Sequence, residues 1–163
     1  MKIICSKSSL LKSVSIALKA VPSKTTMPIL ECILMDATTN QIKFTTNDME
    51  LGIETIVEGT IEEKGKVALD AKIFYEIIRR LPDNDVTIKT DDKYAATITC
   101  EKAKFNISGK SGEDFSYLPY IERENPVSIS QFTLTEVIRQ TIFSIADNDS
   151  NKLMTGELFD MNG

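Results

Sequence analysis

Five cations stand out for what they could bind: Lys12 and Lys19, seven residues apart, and Lys72, Arg79 and Arg80, the first two again seven apart. A spacing of seven returns side chains to one face of a helix. Cations gathered on such a face can attract nucleic-acid phosphates without reading bases. A solvated rib that binds nothing has the same pattern. The chain carries a net −5, yet residues 1–30 hold Lys2, Lys7, Lys12, Lys19 and Lys24 and no acid, so +5 there leaves −10 on the other 133 residues. An acidic body with one basic stretch indicates charge sorted onto one surface.

Catalytic chemistry finds little support. The chain has no histidine, which removes the commonest general base, a Ser-His-Asp triad and most catalytic zinc sites. It has no Gly-rich phosphate loop. Asp48 and Glu50 could be a metal-binding carboxylate pair, but at i, i+2 before a strand they read better as turn formers. Asp91-Asp92 reads as a turn and Asp147/Asp149 as a loop. Cys5, Cys32 and Cys100 are far apart and odd in number, the pattern of small buried hydrophobes in a reducing compartment. No apolar run approaches the ~18–20 residues that span a membrane, and no signal-peptide pattern opens the chain. The expectation is a cytoplasmic, non-catalytic protein with no metal and no cofactor.

The elements that must position the cations repeat. Residues 67–79 match 127–139 at an offset of 60, with Val67 on Val127, Glu76 on Glu136, Ile78 on Ile138 and Arg79 on Arg139. The chain start fits at an offset of 64, placing Ile3 on Val67, Ser6 on Asp70, Leu10 on Phe74 and Val14 on Ile78. Each copy reads as a short strand, a capping residue (Ser6, Asp70, Ser130) and an amphipathic helix. Leu10, Leu11, Val14, Ala17, Leu18 and Val21 form one apolar stripe, and Phe74, Ile77, Ile78 and Leu81 a second. Leu134, Val137, Ile138 and Ile142 form a third, all expected to pack inward. Strands are expected at 29–37, 41–46, 51–58, 86–90, 94–100 and 103–108, where Phe105 and Ile107 share a face. The class is α+β: repeated βαβββ units with two helices packed on antiparallel sheets.

Gly109 to Pro126 reads as a connector, so residues 1–120 form a first domain of two βαβββ halves. Residues 121–163 open a second, with a strand at 127, a helix and a strand over 152–161. Asn162-Gly163 is a strong hairpin-turn signal with no return strand after it, and the expectation is that this second domain is truncated.

Quoted in order, Leu10-Leu11-Lys12, Met27-Pro28-Ile29-Leu30, Thr46-Asn47-Asp48-Met49-Glu50-Leu51 and Ala71-Lys72-Ile73-Phe74 resemble the bacterial DNA sliding clamp family, the beta subunit of the DNA polymerase III holoenzyme. Ile78-Arg79-Arg80-Leu81-Pro82, Lys104-Phe105-Asn106-Ile107-Ser108 and Asp114-Phe115 continue the resemblance, and Phe143-Ser144 and Gly156-Glu157-Leu158-Phe159 carry it to the far end. It implies the DNA-clamp (processivity) fold and a head-to-tail homodimer of three-domain subunits closed into a ring around double-stranded DNA. Such a ring tethers a replicative polymerase, is placed by a clamp loader and catalyses nothing.

Carried over residue by residue, the resemblance makes Lys24, Lys72 and Arg79 DNA-facing, alongside Lys12, Lys19 and Arg80, and puts Asn148 in a loop that approaches DNA. Phe105 and Ile107 match an apolar edge-strand pair buried against the neighbouring subunit. Lys102 and Lys104 match basic residues of that seam, where the family often has arginine; lysine lacks the planar fork for bidentate pairing. Met154 matches one position of a pocket for short peptides from polymerases and repair proteins. The competing reading is an acidic protein–protein adaptor whose basic helices are merely solvated.

Overall fold

The computed structural model describes residues 1–116, 126–147 and 150–160. Asn148, Asp149, Asn162 and Gly163, and residues 117–125 of the expected connector, lie outside the described residues. The chain divides into two compact units, Met1–Tyr120 and Ile121–Gly163.

The first unit begins with a strand β1 (Lys2–Ser6), whose Ile3 and Cys5 are buried, running straight into helix α1 (Lys7–Ala17). The Ser6 hydroxyl accepts from the Ser9 amide and caps the helix, satisfying one of its orphan N–H groups. Strands β2 (Cys32–Asp36), β3 (Ile42–Asn47), β4 (Gly52–Val57) and β5 (Thr60–Glu63) follow. The pattern then recurs: β6 (Lys66–Asp70), α2 (Ala71–Arg80) capped by the Asp70 carboxylate, β7 (Asp85–Thr90), β8 (Ala96–Cys100), β9 (Ala103–Ile107) and β10 (Gly109–Ser111). β1 and β6 begin 64 residues apart, the offset read from the sequence.

These strands form two five-stranded antiparallel sheets, ordered β5-β1-β7-β8-β9 and β10-β6-β2-β3-β4. The two orders have the same connectivity with the halves interchanged. Each half gives its first and last strands to the sheet built from the other half's middle three. Among its crossings between the sheets, the chain passes without a helix from β4 to β5 and from β9 to β10, and a glycine stands at both of these. A Cβ on Gly59 would collide with the Cys5 sulfur and the Ile4 carbonyl, and one on Gly109 with the Tyr94 carbonyl and the Val67 side chain.

Between the sheets lies one core. Leu10, Val14 and Ala17 of α1 and Phe74 and Ile78 of α2 enter it, beside Ile3, Ile88 and Ile98 of one sheet and Ile33, Phe44 and Leu69 of the other. Phe44 and Phe74 meet edge to face, centroids 6.0 Å apart. On the outer face of the second sheet, Cys32, Leu34 and Ala68 make a smaller cluster under Phe115, so β2 is buried on both faces and reads as a continuous apolar run.

Several expectations are corrected. Each half ends in a further short strand, β5 or β10, so the unit is βαββββ. Part of the expected connector is ordered, as β10 and a 3-10 turn at Gly112–Asp114. In the second unit, α3 (Gln131–Thr141) forms with Ser130 as its cap. Residues 126–130 are not a strand, and Lys152–Thr155 is a 3-10 turn rather than part of a strand over 152–161. A strand needs a ladder partner, and the described residues of this unit offer none. Leu134 and Ile138 are half-buried, but Val137 and Ile142 are exposed and not packed inward, because no described residue of this unit is buried.

Two outcomes test this packing. Phe74→Ala empties a fully buried site and should cost about 3–5 kcal/mol, read as a lower urea midpoint at unchanged slope. All three cysteines are free and buried. Burial, with a smaller contribution from Asp85, pushes the Cys5 thiol up to about 12. An acid whose folded pKa is raised contributes stability that is complete below its unfolded value and is lost as pH rises towards the folded one. Between the ordinary thiol range near ~8.5 and about 12, the protein should therefore lose stability faster than Cys5→Ala. Parallel losses in denaturant titrations across that window would show the thiol is not held neutral by the fold.

Candidate nucleic-acid interface

The two helices of the first unit pack against each other, and the apolar stripes that fix them in the core leave their opposite faces to solvent. On α1, Lys12 is exposed. It borders an open groove of about 340 Å³ with Ser9, Ser13 and Ile16, closed on the other side by Thr55, Ile56 and Glu58 around β4. Lys19 is exposed in the 3-10 turn Leu18–Ala20 that extends the helix, and Lys24 is exposed in the segment beyond it. The Thr46 hydroxyl, buried at the end of β3, donates to the Ala17 carbonyl and ties that helix end to the sheet. Lys12, Lys19 and Lys24 have no ion-pair partner among the described residues.

α2 carries its charge differently. Lys72, Arg79 and Arg80 are exposed as expected, but Glu76 sits among them. One oxygen of its carboxylate, Oε2, accepts from Arg79 Nη2 at 2.7 Å and Arg80 Nη2 at 3.2 Å. The bond from Arg79 holds the Glu76 carboxyl below its ordinary range, and the same bond raises Arg79. The basic face of α2 is therefore partly neutralised, whereas that of α1 is not.

Lys72 and Arg80 also line a second groove, of about 330 Å³, with Ile73, Glu76, Ile77 and Phe105. The structure thus joins two groups that the sequence kept apart, cations assigned to DNA and an aromatic ring assigned to a subunit seam. Phe105 lies on β9, the outer strand of its sheet, whose far edge has no ladder partner among the described residues. Its side chain is 39% exposed, whereas Ile107, on the same face, packs against the core of its own unit. Lys102 stands exposed in the turn between β8 and β9, and Lys104 is exposed on β9.

In the second unit, Met154 is exposed in the 3-10 turn Lys152–Thr155, its carbonyl accepting from Ala146 N at 2.9 Å. α3 repeats one motif of α2: Arg139 Nη1 donates to Glu136 Oε1 at 2.9 Å.

The sequence reading missed Ile73, 51% exposed in the groove beside Phe105, although its place just outside the stripe of Phe74, Ile77, Ile78 and Leu81 was a usable signal. It also missed the groove along α1 and β4. Asp48 and Glu50 prove to be turn residues: Asp48 Oδ1 accepts from the Glu50 and Leu51 amides, and Met49 between them has φ 77°. No described group of three or more acids or cysteines is placed to hold a metal ion, and no helix of the described residues is long and apolar enough to cross a membrane.

Comparison with known proteins places this geometry. Residues 1–119 match the family described as DNA polymerase III beta subunit, N-terminal domain. A beta sliding clamp of Bacillus subtilis (strain 168) is 35% identical, covering 96% of this chain and 43% of the relative; one from Synechocystis is 34% identical. Among solved structures, a putative DNA polymerase III beta subunit from Eubacterium rectale is 71% identical with a TM-score of 0.88, covering 96% of this chain and 43% of that one. The DNA polymerase sliding clamp of Bacillus subtilis is 34% identical with a TM-score of 0.85, covering 94% and 42%. The chain thus spans about 43% of the length of these relatives, and its fold is that of the clamps.

Proposed function

Because the chain belongs to the DNA polymerase III beta subunit family, we propose that it serves in a ring-shaped sliding clamp, a processivity factor that encircles double-stranded DNA and tethers the replicative polymerase. One observation carries the reading. Two similar helices lie side by side with their apolar faces in one core and with Lys12, Lys19, Lys72, Arg79 and Arg80 left outside. Cations on helix faces suit phosphates and ignore sequence, and such contacts are mobile and salt-sensitive. A sliding device needs those properties. The acidic remainder keeps the outside of the protein from binding DNA indiscriminately.

Lys24 extends the basic surface beyond α1, and Asn148 adds a DNA contact from the second unit. The edge of β9 is the homodimer seam: Phe105 inserts into the neighbouring subunit, Ile107 supports it from the core side, and Lys102 and Lys104 face acids across the seam. Lys72 and Arg80, which border the groove around Phe105, stand where seam and DNA surface meet. Met154 contributes to a site for short peptides of polymerases and repair proteins. The clamp works in the cytoplasm with a polymerase and a clamp loader, performs no reaction and needs no cofactor.

On this reading the full-length protein is retained on circular duplex DNA and lost from linear duplex by running off the ends. Lys72→Glu with Arg79→Glu should weaken loading at physiological salt several-fold without altering the fold. Equal retention on both topologies, or indifference to the double charge reversal, would leave the adaptor reading in its place. Phe105→Asp sets a carboxylate into the seam and should shift the full-length protein from dimer to monomer in sedimentation; an unshifted dimer would place the seam elsewhere.

A further inference from the structure

The basic faces of the helices are not built alike. At the 64-residue offset, the position that holds Glu76 in α2 holds Lys12 in α1. The charge on α1 is open, whereas Arg79 and Arg80 share one carboxylate oxygen. At the 60-residue offset the arrangement is kept: Glu136 and Arg139 stand in α3 where Glu76 and Arg79 stand in α2, and they form the same i, i+3 pair. In every case one terminal nitrogen of the guanidinium is engaged by the acid. A guanidinium has five N–H donors in a planar fork, so a phosphate can engage the free donors of each of these arginines before the carboxylate lets go, and the two anions then contend for one cation. The pairs are exposed and therefore easily exchanged.

We propose that Glu76 and Glu136 are competing anions, each on a DNA-facing helix of its own unit, holding each arginine beside the duplex while keeping its contact with any one phosphate brief. For α2 this rests on the reading that its cations face DNA; that Arg139 of α3 meets DNA from the second unit is part of the present proposal. A phosphate draws the guanidinium away from the carboxylate, the uncovered carboxylate draws it back, and the contact passes to the next phosphate. The exposed acid also repels the duplex, which lowers the net pull of α2 and α3 on it. The lysines of α1, with no such acid, supply the steady attraction. Glu76 and Glu136 thus act through the arginines and set the friction of sliding.

The test uses the full-length protein carrying Glu76→Gln, Glu136→Gln or, as a control, Glu62→Gln, whose carboxylate pairs with Lys2 of β1 and stands on β5, the edge of the sheet opposite β9. Two readouts are followed: the salt dependence of binding to linear duplex and the run-off time from its ends. Each helix variant should steepen the slope of log affinity against log salt by about 0.9 per arginine released, an extra loss of about 3.5-fold over a fourfold rise in salt, and should lengthen run-off. Glu62→Gln should change neither. Unchanged slopes in Glu76→Gln and Glu136→Gln overturn the proposal, as does an equal change in Glu62→Gln, which would reduce the effect to net charge. Failure of the underlying ring reading looks different: the unmodified protein would then leave circular and linear DNA alike.

Discussion

Two apolar helix stripes have to be buried together, and that requirement organises everything else in the first unit. Leu10 and Val14 on one helix and Phe74 and Ile78 on the other are fully enclosed, and neither stripe could be covered by its own half alone. Once both are seated between the two sheets, each helix has one free face, and every charged side chain it carries must use that face. The cations therefore gather without any interaction drawing them together. Their mutual repulsion is tolerable because the face is wet and, on α2, because Glu76 lies among them.

The same burial creates the grooves. A helix seated on a sheet edge leaves a trough where its flank overhangs the outermost strand, and this happens twice, along α1 with β4 and along α2 with β9. The troughs mix apolar and charged walls: Ile16 and Ile56 with Lys12 and Glu58 in one, Ile73 and Phe105 with Lys72 and Glu76 in the other. On the function proposed above, face and edge divide the labour of the unit: the helix faces would offer charge to a long, uniform polyanion, and the free edge of β9 would offer backbone hydrogen bonds and apolar side chains to protein.

Much of this was legible in the sequence because it is local. The caps Ser6, Asp70 and Ser130, the helix stripes of the first unit and the seven-residue spacing of cations are all decided within two or three turns of chain. The parts that were not legible depend on distant partners. β10 is three residues long and exists because β6, some forty residues earlier, offers it an edge; with Gly109 and Gly112 around it, the segment looked like a connector. The expected strand over 152–161 has apolar residues at Leu153, Met154, Leu158 and Phe159 but no ladder to join among the described residues. Phe105 and Ile107 look equivalent in the sequence, and only the position of α2 decides that one opens into a groove while the other meets the core. The shared oxygen of Glu76 is likewise a matter of rotamers, although the repetition of its residue type at position 136 was visible from the start.

The exchange of first strands between the halves bears on how the molecule comes to be. A sheet with three adjacent strands from one half and its remaining two from the other cannot mature while either half is missing. β1 waits for β7, more than eighty residues later, and β2 waits for β6. Contacts of such long sequence separation close slowly. During synthesis the early strands must therefore emerge with their edges open, and order should arrive late and all at once, when β7 to β10 have left the ribosome. A chain of two similar halves built this way behaves as one cooperative body, and neither half is a smaller protein in its own right.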